Sequence, residues 1–161
     1  MKKFTDSLEW EIATEGRCKE IVDFLHLKEG LQIKNSSLME EYSVGEVRSR
    51  IYYFQEVFLL GFGANKEITV LESFFMPQDL FDHVIHLGII KFNDYESLCH
   101  LHMILSEDLQ KRNFNKIRMD VLNDANKQEI LERLGMIREA ILKVQSKASL
   151  EIHCYSKFLK E

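Results

Sequence analysis

One proline, seven glycines and three cysteines among 161 residues leave little to interrupt regular structure. So few prolines and glycines exclude proline-rich linkers, flexible glycine tracts and collagen-like repeats. Cys18, Cys99 and Cys154 are odd in number and widely spaced, which excludes a disulfide framework. Each stands among apolar neighbours, as buried reduced thiols do, and the cytoplasm is the expected compartment. The longest apolar run, Val57 to Ala64, is far too short to cross a bilayer. No apolar segment follows the first charged residues, so no signal peptide is expected. Nor is there a block of lysine and arginine: Lys2 and Lys3 sit at a terminus, and Lys116 and Arg118 share a strand-like segment. With a net charge of -5, nucleic acid and anionic membrane are not expected partners. What is present is 45% hydrophobic and 29% charged residues, enough for the core of one domain over residues 1–161.

Periodicity orders the elements. Leu8 to Ile12 alternates as a short strand, and Thr14 is the expected cap of a helix with Cys18, Ile21, Val22 and Leu25 on one face. Gly30 ends that region. Asn35, Ser36 and Ser37 offer caps for a second helical stretch through Met39 and Tyr42 towards Tyr52, which Gly45 weakens. Val57 to Phe62 and Ile68 to Phe75 form a hairpin around Gly63-Ala64-Asn65-Lys66, and Val84 to Phe92 is the next strand. Asn93 with Glu96 has capping-box spacing before the stripe Leu98, Leu101, Leu105 and Leu109. Asn115 to Leu122 alternates as a strand. Asn126 with Glu129 repeats the capping-box spacing before a short helix that Gly135 stops. Ile137 to Val144 and Leu150 to Phe158 close the chain as two strands around Gln145-Ser146-Lys147. The segment from 84 to 122 predicts a right-handed parallel crossover.

Four segments, in order, resemble one family. His86-Leu87-Gly88-Ile89-Ile90-Lys91-Phe92-Asn93-Asp94-Tyr95 is similar to the strand written E-L-G-Y-W-V-H-P-D-Y in the GNAT-superfamily N-acetyltransferases. Residues Phe114 to Val121 resemble its L-x-R-V-E-L-R-V strand, and Glu132-Arg133-Leu134-Gly135-Met136 its E-K-L-G-F turn. Tyr155 to Glu161 resembles the Y-S-L-L-R-E ending of the branch that includes ribosomal-protein acetyltransferases. The resemblance implies an α/β (α+β) fold with a mixed sheet of about seven strands and about four helices. It also implies acetyl-CoA as cofactor and a small-molecule or peptide amine as acceptor, and leaves a homodimer open. The cofactor would lie between the strands 84–92 and 115–122. Backbone groups of Ile89, Ile90 and Lys91 would pair with pantetheine as an added strand does, with Ser97 and Leu98 at the pyrophosphate and Asp124 on the pantetheine arm.

The departures bear on the same site. In the family the first strand runs into R/Q-x-x-G-x-G/A, whose amides hold the pyrophosphate; here Tyr95 runs directly into Glu96-Ser97-Leu98-Cys99 without a glycine. From Tyr95 to the strand at Asn115 the chain is about four residues shorter than loop plus helix require. Asp94 and Glu96 put carboxylates where a helix N-terminus would attract phosphate. Leu131 falls where many members carry the tyrosine that protonates the thiolate, and leucine donates no proton.

His86 takes the place of the motif's glutamate, and an imidazole can accept a proton near neutrality. The alternative for His86 is a strand histidine bonded to a neighbour. Glu72 is a second base or orienter, or else part of a solvated sheet face. Tyr95 and Tyr155 are replacement acids or packing residues. His83, His86, His100 and His102 show no ligand spacing, so no metal is expected. Cys99 has no His–Asp arrangement evident around it in the sequence. Two readings follow. One is acetyl transfer from acetyl-CoA to a primary amine with His86 as base; the other is a degenerate domain of the same fold that binds another small ligand or a protein partner.

Overall fold

The computed structural model describes residues 8–38, 41–77, 79, 82–144 and 150–159. Among them one sheet carries β1 (Glu9–Ile12), β3 (Glu56–Phe62), β4 (Ile68–Phe75), β5 (Val84–Phe92), β6 (Lys116–Leu122), β8 (Leu150–Phe158) and β7 (Ile137–Val144), in that spatial order. An eighth strand, β2 (Leu31–Lys34), pairs with β5 off this path. Four α-helices flank the sheet: α1 (Cys18–His26), α2 (Val44–Tyr52), α3 (Tyr95–Lys111) and α4 (Ala125–Arg133). The expected order of elements is present with β2 added between the first two helices.

Alternation in the strands sorts the core into two layers. Leu59, Val70, Leu87, Ile90 and Met119 pack beneath α3 and α4 with Leu98, Leu101, Leu105 and Leu131. Phe58, Leu60, Leu71 and Ile89 pack on the other face with Ile21, Phe24 and Leu25 of α1 and Val47 of α2. The crossover from β5 through α3 to β6 is parallel, as the spacing predicts. Yet pairing lasts only for Val84–Lys116, Ile85–Ile117 and His86–Arg118. Beyond His86 the two strands part.

Four helix starts differ from the sequence expectations. Thr14 makes no side-chain cap bond and precedes a short 3-10 turn, so that α1 begins after Arg17. At the other three a better acceptor stands nearby. Ser43, not Asn35 to Ser37, caps α2 by accepting from the Glu46 amide, which puts Gly45 in the first turn rather than the interior. Asp94 rather than Asn93 caps α3, and Asp124 rather than Asn126 caps α4. Gly135 ends α4 at φ +89°, the left-handed conformation expected of it. Met39 and the Gln145-Ser146-Lys147 turn lie outside the described residues. No helix among the described residues is long and apolar enough to cross a membrane.

All three cysteines are free; Cys18 and Cys154 are buried and Cys99 is half-buried. Thiol titration of the denatured protein without reductant is expected to find three reactive groups, and a count of one would contradict this.

Candidate functional site: the groove where β5 and β6 part

β5 has both edges occupied. β4 lies along one edge from His86 to Phe92. The other edge carries β6 as far as His86 and then β2, antiparallel, with Leu31 opposite Phe92, Gln32 opposite Lys91, Ile33 opposite Ile90 and Lys34 opposite Ile89. Entry into β2 requires Gly30, at φ +81°, where a Cβ would come 2.4 Å from the Phe92 carbonyl oxygen. At the far end the Asn35 N–H donates to Gly88 O at 2.7 Å, and its Nδ2 donates to Leu87 O at 2.9 Å. The Ser36 N–H donates to Asp120 O on β6 at 2.7 Å. Residues 30–36 thus tie the parted strands together, and Ile33 is wholly buried in the core.

Ile89, Ile90 and Lys91, the backbone groups expected to take pantetheine, are therefore paired with β2. The Lys91 side chain crosses to α1, where its ammonium donates to the carbonyls of Leu25 and Leu27 at the helix end, and burial pushes its pKa down. Helix α3 starts at Tyr95, and the Asp94 carboxylate accepts from the Ser97 N–H at 3.2 Å and the Ser97 hydroxyl at 2.9 Å. The Leu98 N–H is bonded to the Asp94 carbonyl, and the Leu98 side chain is core. Asp124 accepts from the Asn126 and Lys127 amides. At each helix start a carboxylate thus takes up part of the free amides, that of Ser97 in α3 and those of Asn126 and Lys127 in α4. A groove of about 540 Å³ remains between β2, β6 and α4, edged by Lys34, Asn35, Ser36, Asn123, Asp124 and Lys127.

Behind the parting point lies a buried polar cluster that the sequence did not single out. Glu56 accepts from the Tyr42 hydroxyl and the Ser73 hydroxyl, each at 2.6 Å, and from Arg50 at 3.3 Å. The Ile89 N–H in turn donates to Ser73 Oγ at 2.9 Å. Burial pushes the Glu56 carboxyl above the ordinary carboxylate range, and the three donors offset this only in part. Burial and the neighbouring Glu56 raise Tyr42 as well. Gly88 is the residue that lets β5 approach: a Cβ there would sit 2.5 Å from Glu56 Oε1 and 2.7 Å from Ser73 Oγ.

The sequence-predicted residues are not all brought together. His86 is half-buried and registers with Phe75 and Arg118, on the strand stretch before the parting point. Glu72 registers with Ile90 instead, and its carboxylate holds His102 Nδ1 of α3 at 2.6 Å. Glu72 is thus bonded to His102 and not to His86, and it is fully buried instead of lying on a solvated face of the sheet. Tyr95 stacks under the Arg133 guanidinium at 3.9 Å, and burial, with the neighbouring Cys99, raises its pKa. Tyr155 is buried with its hydroxyl 3.4 Å from Glu132. Leu131 is fully buried. Among the described residues no group of three or more His, Cys, Asp or Glu is placed to hold a metal ion.

No family model matches the chain, and no curated protein does. Solved structures do. A putative acetyltransferase from Salmonella typhimurium, determined with its cofactor acetyl-CoA, superposes with a TM-score of 0.71 at 14% identity, over 96% of this chain and 95% of that one. The ribosomal-protein-S5-alanine acetyltransferase from Vibrio fischeri gives 0.69 at 12%, over 100% and 98%. A putative GNAT-family acetyltransferase from Desulfovibrio desulfuricans gives 0.73 at 9%, over 95% and 99%. The fold is that of the GNAT acetyltransferases, as the four motifs imply.

Acetyl-CoA is the cofactor that this fold implies, and the residues present do not fit it in the expected way. The strand edge it would pair with is taken by β2. At the start of α3 the Asp94 carboxylate accepts from the Ser97 amide, and Glu96 adds a second negative charge in the same turn.

Proposed function

We propose that this chain is a binding domain on the GNAT fold rather than an acetyl-CoA-dependent acetyltransferase. The pairing of β2 with β5 carries this reading. For a ligand to use that edge, β2 has to leave, which exposes Ile33 and breaks the bonds of Asn35 and Ser36. Burial of one isoleucine is worth about 2 kcal/mol and each of the three hydrogen bonds about 1 kcal/mol, roughly 5 kcal/mol in all. That weakens the apparent affinity by roughly 5000-fold. The polar groove beside β2 is the place for a small polar ligand, and a cytoplasmic setting suits the three free thiols.

The second reading, acetyl transfer to a primary amine, is favoured by the likeness to structures such as the Salmonella protein with its acetyl-CoA. In it His86 is the base and β2 is displaced. Calorimetry with acetyl-CoA separates the two. The expected result is no saturable heat up to about 1 mM, whereas micromolar affinity would overturn the binding-domain reading. The double variant Asp94→Ser, Glu96→Ser is expected to leave this unchanged, because β2 still fills the edge.

A further inference from the structure

The face of the sheet covered by α3 and α4 holds a second arrangement that the groove at β5 and β6 does not use. Glu72 and His102 are both buried in an apolar layer, 0% and 2% exposed, with Oε1 and Nδ1 2.6 Å apart. Burying such a pair is costly and is not by itself a reason for stability. Their other polar atoms, Glu72 Oε2 and His102 Nε2, have no hydrogen-bond partner among the described residues. Buried polar atoms rarely stay unpaired.

One helical turn further along α3, Ser106 donates to the His102 carbonyl at 2.7 Å, and the Lys157 ammonium lies 3.4 Å from Ser106 Oγ. Lys157 is half-buried, and among the described residues no carboxylate forms an ion pair with it. Burial lowers its pKa, and the charge of the buried Glu72 carboxylate offsets this only in part. His102, Ser106, Lys157 and Arg133 line a groove of about 290 Å³ between α3, the end of α4 and the end of β8. Arg133 is held at its edge by stacking on Tyr95. Glu107 is the one acidic residue lining it, and it is exposed.

We propose that this groove binds a small oxyanion, a carboxylate or a phosphate, between Lys157, Arg133 and the outer nitrogen of His102. The buried Glu72 carboxylate accepts from Nδ1–H, so Nε2 meets the oxyanion as the second N–H donor of an imidazolium. The ligand supplies Lys157 with a direct ion-pair partner, which Glu72 acting at a distance is not, and gives His102 Nε2 its missing partner. Ser106 positions the ammonium.

The test is titration of the full chain with inorganic phosphate and, separately, acetate, following the histidine ring signals by NMR. His102 is expected to shift saturably with at least one anion, and the stronger of the two tells phosphate from carboxylate. Lys157→Gln should weaken that binding about tenfold or more, as loss of a charge-assisted hydrogen bond does. Arg133→Gln, at an exposed position, should weaken it severalfold and serves alone if the Lys157 variant does not fold. No saturable shift of His102 with either anion, or affinities unchanged by Arg133→Gln and Lys157→Gln, would overturn the proposal.

Discussion

Replacing Glu56 by alanine is expected to destabilise the protein by about 3–5 kcal/mol, the range for breaking a buried charged network. Three donors converge on this carboxylate. Without it the Tyr42 hydroxyl, on a residue only 5% exposed, is stranded next to Arg50, and Ser73 loses its acceptor. In a domain of this size such a loss lowers Tm by roughly 10 °C. The pH dependence has a definite sign. Because burial raises the Glu56 pKa, the folded state binds more protons than the unfolded one between the ordinary and the raised value. The stability contributed by Glu56 is fully present below the ordinary pKa and falls as pH rises through the folded one. Alanine has no such slope. In urea titrations at about pH 5 and about pH 8, the gap between wild type and variant should therefore narrow at the higher pH. A gap that widens would mean the three donors outweigh burial.

Gly30→Val is expected to release β2 while the rest of the sheet stays folded. Its φ of +81° is unfavourable for a β-branched residue, and the new Cβ would lie 2.4 Å from Phe92 O and 2.5 Å from Asn93 Oδ1. The exposed Asn93 side chain can turn away, but the Phe92 carbonyl belongs to the end of β5 and has no room to give. The amides of Asn35 and Ser36, bonded at 2.7 Å in the wild type, should lose about a hundredfold in hydrogen-exchange protection. The amides of β3 and β4 should keep theirs. Unchanged protection at Asn35 and Ser36 would show that the strand is held without Gly30.

Those two expectations concern residues that the sequence made hardest to read. The longer strands and α3 were legible because their apolar residues recur with period two or along one helical stripe over many residues. β2 was not, since Leu31-Gln32-Ile33-Lys34 offers only two apolar positions, and Asn35 to Ser37 next to it resemble a helix start. What settles it as a strand is a partner distant in sequence, the free edge of β5. Glu56 carried no signal either, lying at a strand start where a charged residue is ordinarily solvated. His102 did carry one: it lies four residues after Leu98, on the buried side of α3. Read on the helical wheel, that position marks a histidine in the core, and a buried carboxylate such as Glu72 is the partner to look for.

The filled edge of β5 also constrains how the chain reaches its native state. During synthesis β2 emerges early, and its partner becomes available only after α2, β3 and β4 have followed. Closing so long an intervening segment is entropically costly and slows the pairing. Ile33 stays without its core neighbours for that whole interval, an apolar side chain on an unpaired strand. The seat for β2 exists only once β5 and β6 have met at their first residues and diverged, so the sheet has to be framed before it can be filled. The open edge of β5 is a vacancy that the nascent chain passes through, and the finished fold keeps only the groove beside β2.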